Sequence, residues 1–203
     1  GPVFRRHDMS ATLPASPIEG LHTFEITAEH EPVLQRFFDA NPAYFLAVTG
    51  EPARAQEAQE EIDGMPPAGW PFTRKWFIGY ADAQGRLAAI ADMVADLLAP
   101  GVWHVGLFIV ATDRHGTGDA QALYRGLEGW AVKNGARWMR LGVVQGNRRA
   151  ERFWHACGYV QTRTRAGIAM GPRANTVRVM VKVLGPEALD QYLTLVPRDR
   201  PED

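Results

Sequence analysis

Two periods alternate along this chain. Residues 21–27 set Leu21, Thr23, Glu25 and Thr27 against His22, Phe24 and Ile26, a period of two that predicts a strand. Residues 31–39 predict a helix, with Pro32 accommodated in its first turn and Asn41-Pro42 stopping it. Residues 54–62, rich in Ala, Gln and Glu, predict a second helix that ends in the loop 64–69. From Lys75 the pattern becomes strand-like. Residues 75–81 and 87–97 flank a hairpin turn at 82–85, and 102–110 follow the turn Ala99-Pro100-Gly101. Residues 118–134 are the clearest helix: Ala120, Leu123, Leu127, Trp130 and Ala131 share one face, and Asn134-Gly135 is a stop signal. Residues 138–144 predict a strand with Met139, Leu141 and Val143 on one side. Residues 148–157 predict a short helix capped by Asn147 and ended by Gly158. Residues 159–165 and 177–184 predict two closing strands, and 187–195 a terminal helix.

This order is strand, two helices, three strands, helix, strand, helix, two strands. Strand–helix–strand units demand parallel pairing, and hairpins demand antiparallel pairing. The fold class expected is therefore α/β: a mixed, mainly antiparallel sheet with central parallel strands, flanked by helices. Residues 1–20 read as a loose lead-in, 21–196 as a single domain and 197–203 as a charged tail. Gly1-Pro2 has the look of a protease scar, with Met9 a candidate first residue.

Composition narrows the classes. A chain of 203 residues, 46% hydrophobic and 22% charged, suits one domain with a sizeable core. Net charge is −1, so bulk charge gives no reason to expect nucleic acid or membrane as a partner. The one cysteine, Cys157, allows no intrachain disulfide, which fits a reducing cytoplasm. No signal-peptide h-region and no apolar run of membrane-spanning length is seen.

Chemistry concentrates after the strand 102–110. His115, Gly116, Thr117, Gly118, Asp119 and Ala120 form a glycine-rich turn that opens a helix. Successive backbone N–H groups there point into one concavity, and the helix dipole adds positive charge, which suits a pyrophosphate. A plain tight turn would look similar. The full G-x-G-x-x-G of a dinucleotide site is absent, and no Gly-Lys-Ser/Thr follows as a Walker loop requires.

The second segment narrows the reading. Asn147, Ala150, Phe153-Trp154 and Gly158-Tyr159 follow at fixed offsets. With the His115 to Ala120 turn, these resemble the two signatures of the GNAT acetyltransferase superfamily, R/Q-x-x-G-x-G/A and an Asn–small–aromatic-Tyr–Gly-Phe run. The resemblance is close over 100–165 and holds in element order elsewhere. Two departures matter. His115 stands where Arg or Gln is usual, and Trp154 stands where many members carry a Tyr proposed to protonate the leaving thiolate. An indole cannot do that at neutral pH.

The resemblance implies acetyl-CoA as co-substrate, no metal, and direct attack of a primary amine through a tetrahedral intermediate. It implies cofactor contacts at Ile109, Val110, the turn from His115 to Ala120, Asn147 and Trp154, with a backbone N–H around Ile109 and Val110 as oxyanion donor. Only about one alkyl amine in a thousand is neutral at pH 7, so a base is needed. His104, Asp92 and Tyr44 are the candidates, each of which also reads as an ordinary structural residue; Asp96 and His155 are weaker ones. Cys157 reads as a small buried hydrophobe. Five acids (Glu51, Glu57, Glu60, Glu61 and Asp63) hint at a cationic acceptor, whereas Arg163, Arg165 and Arg173 hint at a carboxylate. Trp70, Phe72, Trp76 and Trp103 read equally as pocket walls or core. A small-molecule amine is the first reading of the acceptor, a protein N-terminus or lysine the second. A non-catalytic acyl-CoA-binding regulatory module is the third reading, and a homodimer is left open.

Overall fold

The computed structural model describes residues 12–202. Its strands are β1 (His22–Glu25), β2 (Arg74–Ala81), β3 (Leu87–Ala95), β4 (Val102–Val110), β5 (Trp138–Val144), β6 (Val160–Met170) and β7 (Arg173–Val183). The α-helices are α1 (Glu31–Ala40), α2 (Ala43–Thr49), α3 (Glu57–Asp63), α4 (Asp119–Lys133), α5 (Arg148–Ala156) and α6 (Leu189–Leu195). One seven-stranded sheet runs β1-β2-β3-β4-β5-β7-β6. Every neighbouring pair is antiparallel except β4–β5, so the expected mixed, mainly antiparallel class is the one observed.

Each face of the sheet carries its own apolar layer. On one, Trp76, Ile78, Tyr80, Trp103, Val105 and Met139 pack beneath α4, whose Leu123, Leu127, Trp130 and Ala131 are buried as the helical pattern predicts. Trp76 stacks on Trp103 at 5.3 Å, with Trp130 edge-on to both, which resolves these tryptophans as core. On the other face Phe77, Ile90, Leu107 and Ile109 meet Leu34, Phe37, Phe38, Phe45 and Ala58 of α1, α2 and α3.

β4 contributes Trp103 and Val105 to the first layer but Leu107 and Ile109 to the second. A strand of unbroken period two cannot do this. The register explains it: Asp92 faces Leu107 and Met93 faces Val105, so Gly106 is an extra residue in a β-bulge. A Cβ on Gly106 would lie 2.9 Å from Asp92 Oδ1, so any larger residue must push that carboxylate aside.

β4 and β5 pair over four residues only, from Val102↔Trp138 to Val105↔Leu141. Beyond Gly106 the two strands diverge, and β4 loses its neighbour on that side. All functional geometry below depends on this split.

Several elements differ from the sequence expectation. α2 was not foreseen. The closing strands are longer than the pattern suggests, because the polar residues of β6 and β7 lie half-exposed beside the split. Residues 12–20 are packed rather than loose: Thr23 Oγ1 donates to the Pro14 carbonyl, and Leu13 and Ile18 rest on the core. The rest of the expected lead-in lies outside the described residues. The charged tail is also a docked segment, since Asp199 is fully buried.

Candidate active site

Three cavities meet at the split. A groove of about 500 Å³ runs between the His115 turn and α5, lined by Ile109, Val110, Ala120, Asn147 and Arg149 among others. A small cavity of about 90 Å³ lies in the split itself, against Gly106, Leu141 and Gly142. A cavity of about 520 Å³ opens on the other side, walled by the 64–70 loop, β6 and the C-terminal turn. Tyr44 lines all three. The small cavity shares lining residues with both of the others and so lies between the groove and the far cavity.

The groove suits a pantetheine–pyrophosphate chain. Ala111 N–H donates to Ala88 O, so strand alternation turns Ile109 toward β3 and leaves the Val110 and Phe108 N–H groups facing the split. Ile109 therefore adds only its side chain to the groove wall, which corrects its expected share in an oxyanion donor. Gly116 and Gly118 have φ of 78° and 88°, the left-handed region that favours glycine, and a Cβ on either would meet only open space. The first-turn N–H groups of α4 lack intrahelical acceptors, as helix geometry requires. Asp119 N–H takes the Thr117 hydroxyl instead, and its carboxylate pairs with Arg114 at 3.0 Å, which removes a negative charge from the turn. His115 Nε2–H donates to Val110 O at 2.9 Å, so its ring closes the groove wall. Asn147 caps α5 by accepting from Ala150 N–H at 3.4 Å and lines both groove and split. Trp154 packs on Tyr124, Phe153 and Tyr159 with one edge on the groove.

The far cavity carries the titratable groups. α3 is fixed to α1 by Gln35, whose Oε1 accepts from Ala58 N–H at 2.9 Å while Ala58 is buried. Glu61, three residues on, shares that inward face. Glu57 and Glu60 are instead tied to Arg54. Of the five acids in the expected stretch, Glu61 is the one that lines the cavity. Burial, then the charges of Asp92 and Glu57, push its carboxyl up to about 7 against the opposing pull of Lys75. Asp92 is also raised by burial, partly offset by its Lys75 ion pair at 3.0 Å.

Tyr44 is held over the split by α2, which β7 anchors: Asn175 Nδ2 donates to Val48 O at 2.7 Å and Arg173 to Ala47 O at 3.2 Å. Burial, with Glu61 and Glu57 adding, raises its phenol above the usual range, so it stays protonated. His104 lies in the cavity wall, 3.3 Å from the Arg140 guanidinium through Nδ1. A guanidinium only donates, so Nδ1 accepts and Nε2 carries the proton. Burial, with Arg140 adding, lowers the His104 pKa to about 3. Arg140 is bound by buried Asp199 at 2.6 and 3.0 Å, and Tyr192 also donates to Asp199. Of the other candidates, Asp96 shapes a turn by accepting from Gly101 N–H, His155 is exposed, and burial raises the Cys157 thiol to about 11. Trp70 lines the cavity, and Arg165 does so while Arg163 and Arg173 do not.

A sheet split beside a glycine turn that opens a helix leaves room for an extended phosphate-bearing ligand, with an acid-bearing cavity across the split. The chain belongs to the acetyltransferase (GNAT) family, whose model matches residues 34–159. It is accordingly an acetyl-CoA-dependent N-acetyltransferase. Among solved structures, an acetyltransferase from Thermus thermophilus is similar at 21% identity and TM-score 0.60, over 81% of this chain and 97% of that one. A GCN5-related N-acetyltransferase from Kribbella flavida is similar at 24% identity and TM-score 0.58, over 82% and 99%. Spermidine N-acetyltransferase from Vibrio cholerae, solved with CoA and spermine, is similar at 16% identity and TM-score 0.60, over 82% and 96%. No curated protein matches. Among the described residues no helix is long and apolar enough to cross a membrane.

Proposed function

We propose that this protein acetylates the primary amine of a small molecule, with Glu61 as general base. The observation that carries this is the cavity in the split between groove and far cavity, with a carboxyl near pKa 7 lining the far side. A base poised near the working pH is the most effective one. The amine approaches from the far cavity, whose volume of about 520 Å³ lies within the range of small-molecule sites. Glu61 takes its proton, and the neutral nitrogen attacks the thioester carbonyl carbon from across the split. The Val110 or Phe108 N–H receives the oxygen as it gains charge. The C–S bond then breaks, CoA departs as thiolate, and the second proton on the nitrogen passes to the thiolate or to water, leaving the neutral amide.

Tyr44 assumes the place left by Trp154 in one respect only. Its phenol is far less acidic than a thiol of pKa about 8.5, so full proton transfer to the thiolate is uphill. Tyr44 instead donates a hydrogen bond to the developing charge. His104 holds its lone pair against Arg140 and serves the cavity wall rather than the proton transfer.

Thermal-shift measurements with acetyl-CoA and CoA, followed by thiol release over an amine panel, test the proposal. Stabilisation by both ligands and turnover of small amines are expected. Stabilisation without thiol release from any amine or peptide would favour a binding module, and no stabilisation would overturn the site itself.

A further inference from the structure

The far cavity is charged unevenly. At one end Lys75 and Asp92 neutralise each other at 3.0 Å, and Glu61 beside them has no ion-pair partner within 4 Å among the described residues. At the other end Asp199 matches Arg140, and Glu202 lies 4.0 Å from Arg163. Arg165 and Arg198 line the cavity there, and neither has a carboxylate within 4 Å among the described residues. Arg165 Nε is buried without a hydrogen-bond partner, while its Nη2 donates to the Arg198 carbonyl. Of the buried, unpartnered side-chain atoms among the described residues, it alone belongs to a residue lining this cavity. Arg198 is held 4.1 Å above the Trp70 ring, with Arg140 5.5 Å from the same ring.

Arg140 and Arg198 share one indole, Arg165 lines the same end of the cavity, and a single Asp199 does not balance the three. Burial and the charges of Arg163 and Arg198 both press against the Arg165 cation. The two ends are distinct: the groups acting on Arg165 are Arg163, Arg198, Asp199 and Arg140, and those acting on Glu61 are Asp92, Glu57, Lys75 and Glu60. A ligand that spans the cavity therefore meets an acid at one end and unmatched guanidinium groups at the other. The two hints in the sequence, toward a cation and toward a carboxylate, belong to opposite ends of one site.

We infer that the acceptor is a small amino acid-type molecule, presenting its amine to Glu61 at the split and its carboxylate to Arg165 and Arg198. Planar guanidinium forks match a carboxylate with two parallel hydrogen bonds, which sets its direction as well as its affinity. This rests on the transferase reading above and adds the class of acceptor.

Thiol release is to be measured over amino acids of increasing amine-to-carboxylate spacing, each beside its carboxamide and the matching diamine. The wild-type protein is expected to favour the acids over the amides by about 10- to 100-fold in kcat/KM, the worth of a charge-assisted hydrogen bond. Arg165→Gln and Arg198→Gln are expected to erase much of that preference through KM, the amides serving in the same variants as the control for folding. Amides or diamines turned over as well as the acids by the wild type, or an undiminished preference in both variants, would sink the zwitterion and leave the transferase standing. No thiol release with any member of the set would overturn both.

Discussion

At the scale of single residues, Glu61 bears the most weight. Its pKa near 7 means that the folded state holds a proton which the unfolded chain releases near pH 4.5. Stability from this group is therefore complete below that value and falls as pH rises toward 7. Glu61→Gln is expected to lower kcat by about 100- to 10,000-fold and to abolish the inflection near pH 7 in the kcat/KM profile. The same variant should melt higher than wild type at pH 8, and alike at pH 4, in calorimetry. Trp154→Tyr is expected to leave kcat unimproved, while Tyr44→Phe lowers it by about 100-fold in steady-state assays. Tyr44 was legible in the sequence as a candidate, as was the glycine turn from His115 to Ala120. Glu61 was present only as one acid among five, because nothing local separates it from Glu57 and Glu60. What separates them is the burial of Ala58 against α1, a tertiary fact.

At the scale of elements, the bulge at Gly106 decides which side chains face which layer. The strand 102–110 was readable to the residue, yet the exchange of faces within it was not. Its signal was a glycine inside a strand, which marks a bulge or a close approach. Gly106→Ala is expected to displace Asp92 from Lys75 and to cost about 1–3 kcal/mol in denaturant unfolding, with reduced turnover. α2 escaped the pattern for a different reason. Its sequence AYFLAVT is short, apolar and rich in strand-forming residues, and such a run has no distinguishing period. Its helical state comes from outside, through Asn175 and Arg173 on β7. The far cavity was illegible for the same reason, since its walls are drawn from separate stretches of chain.

At the scale of the whole molecule, the C-terminal turn closes the structure. Asp199 reaches back to Arg140 in the middle of the sheet, and both are buried. Burial opposes ionisation of Asp199, but the hydrogen bonds and charge of Arg140 outweigh it and hold its pKa below the usual carboxylate range. Asp199→Asn leaves a buried guanidinium without its counter-charge and is expected to destabilise the fold by about 3–5 kcal/mol in urea titrations. The sequence showed these last residues as charged but not as docked, because the partner lies 59 residues away.

The four-residue seam between β4 and β5 also has a mechanical meaning. The sheet is two stiff plates, one of four strands and one of three, sewn together at one end and free at the other. The Arg140–Asp199 rivet sits on the sewn end, because Arg140 pairs with His104 inside the seam. Compliance is thereby expected at the free end, which in the proposed reaction is where both substrates enter and two products leave.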